Sequence, residues 1–216
     1  MVGRETSRSS QHDRFSLTVP GTWLRDLPIL YPKIKFDLHG VDIGSHLFPA
    51  QSSLDLRQHN ITTPLPAEWG WNDSFDVIHQ RLLVWGLKLS QWPEVLRNFY
   101  TVLKPGGYIQ LVEIELIDRA NPATLPQLQK QALMQEWSTE SFGMDIDIAY
   151  KLVDLLKEAN FTNVTKVQFD HGYGAKARSA AQLDVSAELW VECFRSLDTK
   201  IPVGECYSFS FPRPYC

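Results

Sequence analysis

The sequence predicts an α/β fold with a mostly parallel central sheet and helices on both of its faces. Short apolar strand candidates alternate along the chain with amphipathic helix candidates, and repeated strand, helix, strand units form parallel sheets. The chain has 216 residues, of which 44% are apolar, enough for one sizeable core. We expect one domain over residues 14–216. The polar residues 1–13 are expected to form a flexible tail, because they have little apolar surface to bury.

The first strand, helix, strand unit is expected before residue 45. A weak alternation of apolar and polar residues predicts the first strand, carried by Phe15, Leu17 and Val19. It stops at Pro20-Gly21, and a short helix over 23–31 ends before Pro32. The stretch 34–41 alternates again and runs into a loop, as a second strand does.

The middle of the chain continues the alternation. Residues 53–57 are a weaker third strand candidate, and 75–79 form a compact fourth. An apolar stripe at helical spacing then predicts a helix that packs on the sheet: Trp92, Val95, Leu96, Phe99 and Leu103. The run 104–107, which contains a proline and two glycines, ends this helix. The nearly continuous apolar run 108–114 predicts a strand buried on both faces.

The last third of the chain follows the same pattern. A helix over 148–159 is expected to be capped at Asn160 and followed by a strand over 164–169. Residues 180–197 are helix-like, and the alternation over 207–211 is a candidate for the last strand.

Charge and cysteine content exclude several classes of protein. A net charge of -4 argues against nucleic acid as a partner, because such surfaces need clustered Lys and Arg. The three cysteines (Cys193, Cys206 and Cys216) have no metal or redox spacing and are expected to be reduced thiols in the cytoplasm. We expect no secretion signal, because the first residues contain no apolar run of the required length, and no apolar run reaches the roughly 20 residues that span a membrane. We expect no metal site.

Asp42 is the first candidate binding residue. It ends the second strand candidate and follows Gly21 by 21 positions, close to the roughly 20-residue spacing at which a carboxylate binds a nucleoside ribose. Aspartates also end strands as solvated turn residues. The spacing alone leaves both interpretations open.

Four further segments resemble the class I S-adenosylmethionine-dependent methyltransferases that act on fungal secondary metabolites. They are Gly21-Thr22-Trp23-Leu24-Arg25-Asp26-Leu27, Asn60-Ile61-Thr62 before Pro64-Leu65-Pro66, Phe75-Asp76-Val77-Ile78-His79-Gln80-Arg81, and Leu103-Lys104-Pro105-Gly106-Gly107-Tyr108. The resemblance extends over roughly residues 21–170. It implies the Rossmann-like methyltransferase fold, with S-adenosyl-L-methionine as cofactor and a small molecule as methyl acceptor.

The resemblance also implies the roles of individual residues. Gly21 would lie in the first cofactor loop, and Asp42 would bind the ribose hydroxyls. Asn60, where the family usually has aspartate, would accept from the adenine amino group, and the Ile61 amide would donate to the ring. Gln80 and Arg81 would lie beside the methionine part. His79 is the first choice for a catalytic base, although histidines at strand ends are more often structural.

Other roles stay open at this stage. His171 is a second candidate base, and Glu113 could orient substrate or be a solvated loop residue. Trp69, Trp71 and Trp85 could wall an aromatic acceptor pocket or pack in the core. Residues 115–145 correspond to the family's substrate lid.

Two other functions compete with methyl transfer. Only Pro20-Gly21-Thr22 remains of the family's glycine-rich loop, which favours an inactive methyltransferase-fold regulator or partner subunit. A nicotinamide-dependent oxidoreductase would also place a carboxylate after its second strand, but the chain has no G-x-G-x-x-G after a first strand. Homodimers and pairing with a related methyltransferase are both compatible with the sequence.

Overall fold

The computed structural model describes residues 13–17, 22–45, 48, 54–115, 136–137, 139–169 and 179. Residues 1–165 form one compact unit and residues 166–216 a second. Several expectations lie outside the described residues: the tail up to residue 12, Gly21, most of the 115–145 lid, His171, the helix over 180–197 and the strand over 207–211.

Five strands form the sheet of the first unit. They are β1 (Asp13–Leu17), β2 (Phe36–Asp42), β3 (Asp55–Gln58), β4 (Phe75–Arg81) and β5 (Leu103–Val112). Their order across the sheet is β3-β2-β1-β4-β5, and every neighbouring pair is parallel. The predicted parallel sheet is confirmed. The strand order reverses between β1 and β4, and in such sheets ligands bind at the carboxyl ends of the strands near this reversal.

The described helices next to these strands include α1 (Thr22–Leu30), α2 (Trp92–Val102) and α3 (Ile148–Glu158). α2 and α3 were predicted from apolar spacing, and α1 as a short helix that ends before Pro32. α3 ends as predicted at Asn160, which has a φ of 68°. The Phe161 N–H bonds to Leu156 O and the Asn160 N–H to Lys157 O, each at 3.0 Å. This bonding pattern is a Schellman C-cap.

α2 buries its apolar stripe in the core. Trp92, Val95 and Leu96 are each 0% exposed, as is Phe75 at the start of β4. One polar side chain of α2, Asn98, is buried among them at 7% exposure. Among the described residues, no helix has both the length and the apolar content to cross a bilayer.

Three predictions about strands are wrong. β5 begins at Leu103, five residues early, and an irregularity in its pairing with β4 lies between Phe75 and Val77. β5 is also not buried on both faces, since Tyr108 is 74% exposed. An apolar run predicts a strand but does not determine whether other elements pack on each of its faces. Residues 164–169 form no strand, and Phe169 is 85% exposed. A short alternating run predicts a strand only where one of its faces is buried.

Candidate functional site

Asp42 is the last residue of β2 and lies at the carboxyl edge of the sheet. Its Oδ1 accepts a hydrogen bond from the Gly44 N–H at 2.7 Å, which holds the carboxylate in a fixed orientation. Its Oδ2 has no hydrogen-bond partner in the part of the chain that the structure describes. The half-buried carboxylate therefore keeps one oxygen free to accept a bond from a ligand hydroxyl.

The loop after β3 lies directly beside Asp42. β2 and β3 pair in register up to Asp42 and Gln58, and the next N–H, that of His59, bonds to Asp42 O at 2.8 Å. Asn60 and Ile61 follow at once. No described residue accepts a hydrogen bond from the Ile61 N–H. The structure thus brings together a free carboxylate oxygen and a free backbone donor, at the two chain positions where the sequence predicted an adenosine site.

The side chain of Asn60 has a local role that the sequence did not predict. Its Oδ1 accepts hydrogen bonds from the Thr62 N–H at 3.1 Å and from Thr62 Oγ1 at 2.8 Å. The side chain is exposed, but its oxygen already stabilises the turn over 60–63. A bond from an adenine amino group to this oxygen would be a third one.

The residues that end β4 are spread between the interior and the surface. Leu17 of β1 is in register with both Gly40 and His79, so Asp42 and Arg81 each lie two residues further along their strands. Two strand intervals separate them, or about 10 Å. The Arg81 side chain is exposed at this edge. The Gln80 side chain is 0% exposed and donates to Glu113 Oε1 at 2.6 Å, so it extends into the interior.

His79 is a buried histidine, only 4% exposed. Its ring stacks on Trp23 of α1 with centroids 4.2 Å apart, and its Nδ1 lies 2.9 Å from Gln110 Oε1. The pKa of His79 is lowered, mainly by burial and further by the nearby positive charge of Arg81, against the opposing bond to Gln110. Because Gln110 Oε1 is an acceptor, the Nδ1 carries the proton of the neutral ring. Nε2 is then an unprotonated, buried nitrogen without a hydrogen-bond partner.

Glu113 is half-buried, and its carboxylate is held by hydrogen bonds within the chain. Its carboxylate accepts hydrogen bonds from Gln80 Nε2, from the Leu83 N–H at 2.7 Å and from the Val84 N–H at 3.1 Å. Burial raises the pKa of Glu113, although the three donors oppose this by stabilising the charged form. Glu113 therefore fixes the chain where it leaves β4, next to Leu82 with its φ of 59°.

Two tryptophans after β3, Trp69 and Trp71, pack against the side chain of Arg57. The Arg57 guanidinium lies 4.9 Å from the Trp69 ring centroid and 4.6 Å from that of Trp71, which is 3% exposed. Arg57 also pairs with Asp55 at 2.7 Å and thereby lowers the pKa of that carboxyl. For Trp71 the core-packing interpretation is confirmed.

Sequence reasoning missed Asn98 altogether, and it named Glu113 without predicting its hydrogen bonds to Gln80, Leu83 and Val84. The signal for Asn98 was available: it is a polar residue inside the apolar stripe of α2, between Val95 and Phe99. A buried polar group needs hydrogen-bond partners, and their location could have been sought at the neighbouring strand ends. Glu113 carried no such signal, because an acidic residue after a strand is common.

The chain is similar in sequence to several fungal proteins, although no protein-family model matches it. The N-methyltransferase sirN of Leptosphaeria maculans is 29% identical over 201 residues, which cover 89% of this chain and 68% of sirN. The N-methyltransferase verN of Clonostachys rogersoniana is 36% identical over 171 residues, covering 76% and 56%. The secondary metabolism regulator LAE1 of Cochliobolus heterostrophus is 26% identical over 175 residues, covering 76% and 53%. The chain thus spans between 53% and 68% of the length of these relatives.

Solved structures share the fold at low sequence identity. The methyltransferase CalO6 matches with a TM-score of 0.51 at 15% identity, over 74% of this chain and 54% of that one. At this identity the likeness concerns the fold alone. The parallel sheet with its reversal between β1 and β4, together with the sequence likeness to sirN and verN, confirms the resemblance to the class I S-adenosylmethionine-dependent methyltransferases of the fungal secondary-metabolism type.

Proposed function

We propose that this chain binds S-adenosyl-L-methionine at the carboxyl ends of β2 and β3 and transfers its methyl group to a small-molecule acceptor of secondary metabolism. One observation carries the proposal. Asp42 and the loop after β3 are joined by the His59 N–H bond to Asp42 O, and each offers one unused polar group. A ribose hydroxyl donates to a carboxylate, and a purine ring nitrogen accepts from a backbone N–H. These two groups therefore fit an adenosine.

The residues present divide the cofactor between them. Asp42 Oδ2 would hold the ribose and the Ile61 N–H the adenine ring. Arg81, exposed about 10 Å from Asp42 at the same edge, would lie beside the methionine part and attract its carboxylate. The bound cofactor supplies a methyl group already activated on a sulfonium sulfur, so the protein mainly has to align the acceptor with that methyl group. Of the other predicted contacts, Asn60 and Gln80 already use their side chains in hydrogen bonds within the chain, to Thr62 and to Glu113, and Gly21 lies outside the described residues.

A hydroxyl or amine acceptor must also lose a proton. We propose His79 for this step, because its lowered pKa favours the neutral ring and the lone pair of Nε2 has no partner. Trp23 covers the ring at 4.2 Å. The lone pair of Nε2 lies in the plane of the ring, so an acceptor would have to approach along that plane, beside Trp23. Nitrogen is the acceptor atom that we propose first, since sirN and verN are named N-methyltransferases.

A second candidate function is that of a methyltransferase-fold regulator or partner subunit without activity of its own. The observation that favours it is the similarity to LAE1, which is named a secondary metabolism regulator. The predicted loss of most of the glycine-rich loop also favours an inactive regulator or subunit, because such a loop supplies backbone donors for the cofactor.

Calorimetric titration separates these functions. The purified chain is titrated with S-adenosylmethionine, S-adenosylhomocysteine and NADH, and its folding is checked by circular dichroism. The proposal expects micromolar dissociation constants for the first two compounds and no binding of NADH. A folded chain that binds none of the three would contradict it and favour the inactive regulator or subunit. Binding of NADH alone would identify an oxidoreductase.

A further inference from the structure

Asn98 is a buried polar side chain that reaches from α2 into the loop after β3. It is 7% exposed and lies among the apolar residues of the helix. Its Nδ2 donates two hydrogen bonds, to Ile61 O and to Thr63 O, each at 3.0 Å. Both amide protons are thus used on a loop that is 35 to 37 residues away in sequence.

These two bonds determine which way the loop presents its remaining donor. Asn60 O accepts from the Thr63 N–H at 3.0 Å and from Thr63 Oγ1 at 2.8 Å, inside the turn. In a planar trans peptide the N–H points opposite to the C=O of the preceding residue. The Ile61 N–H therefore points away from the turn. Asn98 holds the Ile61 and Thr63 carbonyls toward the helix, so the loop cannot rotate this N–H back inward.

We infer that Asn98 is a positioning residue for base recognition: by fixing the Ile61 and Thr63 carbonyls, it aims the Ile61 N–H at an acceptor nitrogen of the adenine ring. The inference rests on the proposed function, because it requires adenosine in the site. It predicts that the intact loop distinguishes adenine from hypoxanthine. Adenine presents an unprotonated ring nitrogen beside an amino group, whereas hypoxanthine presents a ring N–H beside a carbonyl, which reverses donor and acceptor.

A purely structural role for Asn98 would give a different result. The Ile61 and Thr63 carbonyls accept hydrogen bonds from Asn98, and removing these donors costs stability whatever the loop binds. Such a loss reduces the folded fraction equally for every ligand. It leaves the ratio of two dissociation constants unchanged, and this ratio is therefore the quantity to measure.

The experiment measures dissociation constants for S-adenosylhomocysteine and S-inosylhomocysteine by calorimetry. The variants are Asn98→Asp, which keeps the size but removes both donors, and Thr101→Ala as the control on the exposed side of the same helix. We expect the unaltered chain and Thr101→Ala to prefer the adenine compound by about tenfold, the usual effect of one mismatched hydrogen bond. In Asn98→Asp this preference should fall to about twofold or less.

The outcomes separate the two proposals. If the unaltered chain binds neither compound, the proposed function fails. If it binds and discriminates, and Asn98→Asp keeps the full preference, the positioning role of Asn98 is overturned while the proposed function stands. Should Asn98→Asp fail to fold, Asn98→Ser keeps one hydroxyl donor in a smaller side chain. An intermediate preference in Asn98→Ser would support the inference, and an undiminished one would overturn it.

Discussion

Replacing Asp42 by alanine should weaken nucleoside binding by an amount that follows from its contacts. The carboxylate already uses Oδ1 on the Gly44 N–H and has Oδ2 left for a ribose hydroxyl. Asp42→Ala removes one hydrogen bond to a charged group, a loss of about 1.5–3 kcal/mol. This corresponds to a dissociation constant for S-adenosylhomocysteine about 10 to 150 times higher, because each tenfold change equals about 1.4 kcal/mol. Calorimetric titration measures it directly.

Two further variants make this measurement specific. Asp42→Asn keeps an acceptor for the Gly44 N–H but loses the charge, so its effect should be smaller than that of alanine. Asp76→Asn is the matched control, since Asp76 lies near the other end of β4 and pairs with Lys104 at 2.7 Å. The dissociation constant of Asp76→Asn for S-adenosylhomocysteine should stay within about twofold of that of the unaltered chain. An Asp42→Ala chain that is folded and binds as tightly as the unaltered chain would remove Asp42 from the site.

Three other predictions concern the side chains around the site. His79 should titrate below its ordinary pKa of 6.5 in a proton NMR titration of the ring resonances, assigned with His79→Gln, because burial disfavours the charged ring; a midpoint at or above 6.5 would contradict this. The pKa of Glu113 is raised, so the folded chain keeps a proton that the unfolded chain releases above the ordinary value of 4.5. The stability that this group contributes is therefore lost as pH rises from 4.5 through the raised pKa of the folded chain. In urea unfolding, Glu113→Gln should abolish this decrease in the free energy of unfolding with pH. The same decrease in both chains would refute the prediction. Leu96→Ala, at a position that is 0% exposed, should lower the free energy of unfolding by about 2–5 kcal/mol, against about 0.5 kcal/mol or less for the exposed Arg97→Ala. Equal losses in these two variants would mean that the α2 stripe is not the core.

The elements with strong apolar periodicity were predictable from the sequence, and α2 is the clearest case. Its apolar residues from Trp92 onward recur at helical spacing and so lie on one face of the helix. Burial of that face stabilises the helix. The cap at Asn160 was predictable for a local reason, since asparagine tolerates positive φ. Local chemistry and burial point to the same structure in both cases.

The edge of the sheet was less predictable. An apolar run such as 108–114 predicts a strand but not which of its neighbours cover it, because coverage depends on distant parts of the chain. Tyr108 is exposed for this reason. The start of β5 at Leu103 was missed because a strand that includes Pro105 and Gly106 contradicts the usual strand preferences.

The candidate site was predictable in position but not in its hydrogen bonds. The alternation of strands and helices placed Asp42 and Asn60 at the same edge of the sheet, and they lie there. That the Asn60 oxygen is used by Thr62, or that the Gln80 side chain is held inside by Glu113, depends on side-chain geometry that spacing does not determine. The hydrogen bond from Asn98 to Ile61 O, between residues 37 positions apart, also depends on side-chain geometry that spacing does not determine.

A crystal structure of the chain grown with S-adenosylhomocysteine tests the central claim most directly. We predict a nucleoside at the carboxyl ends of β2 and β3, with a ribose hydroxyl about 2.5–3.0 Å from Asp42 Oδ2 and a ring nitrogen about 2.7–3.2 Å from the Ile61 N. A nucleoside bound elsewhere on the sheet, with Asp42 and Ile61 still facing solvent, would contradict the account.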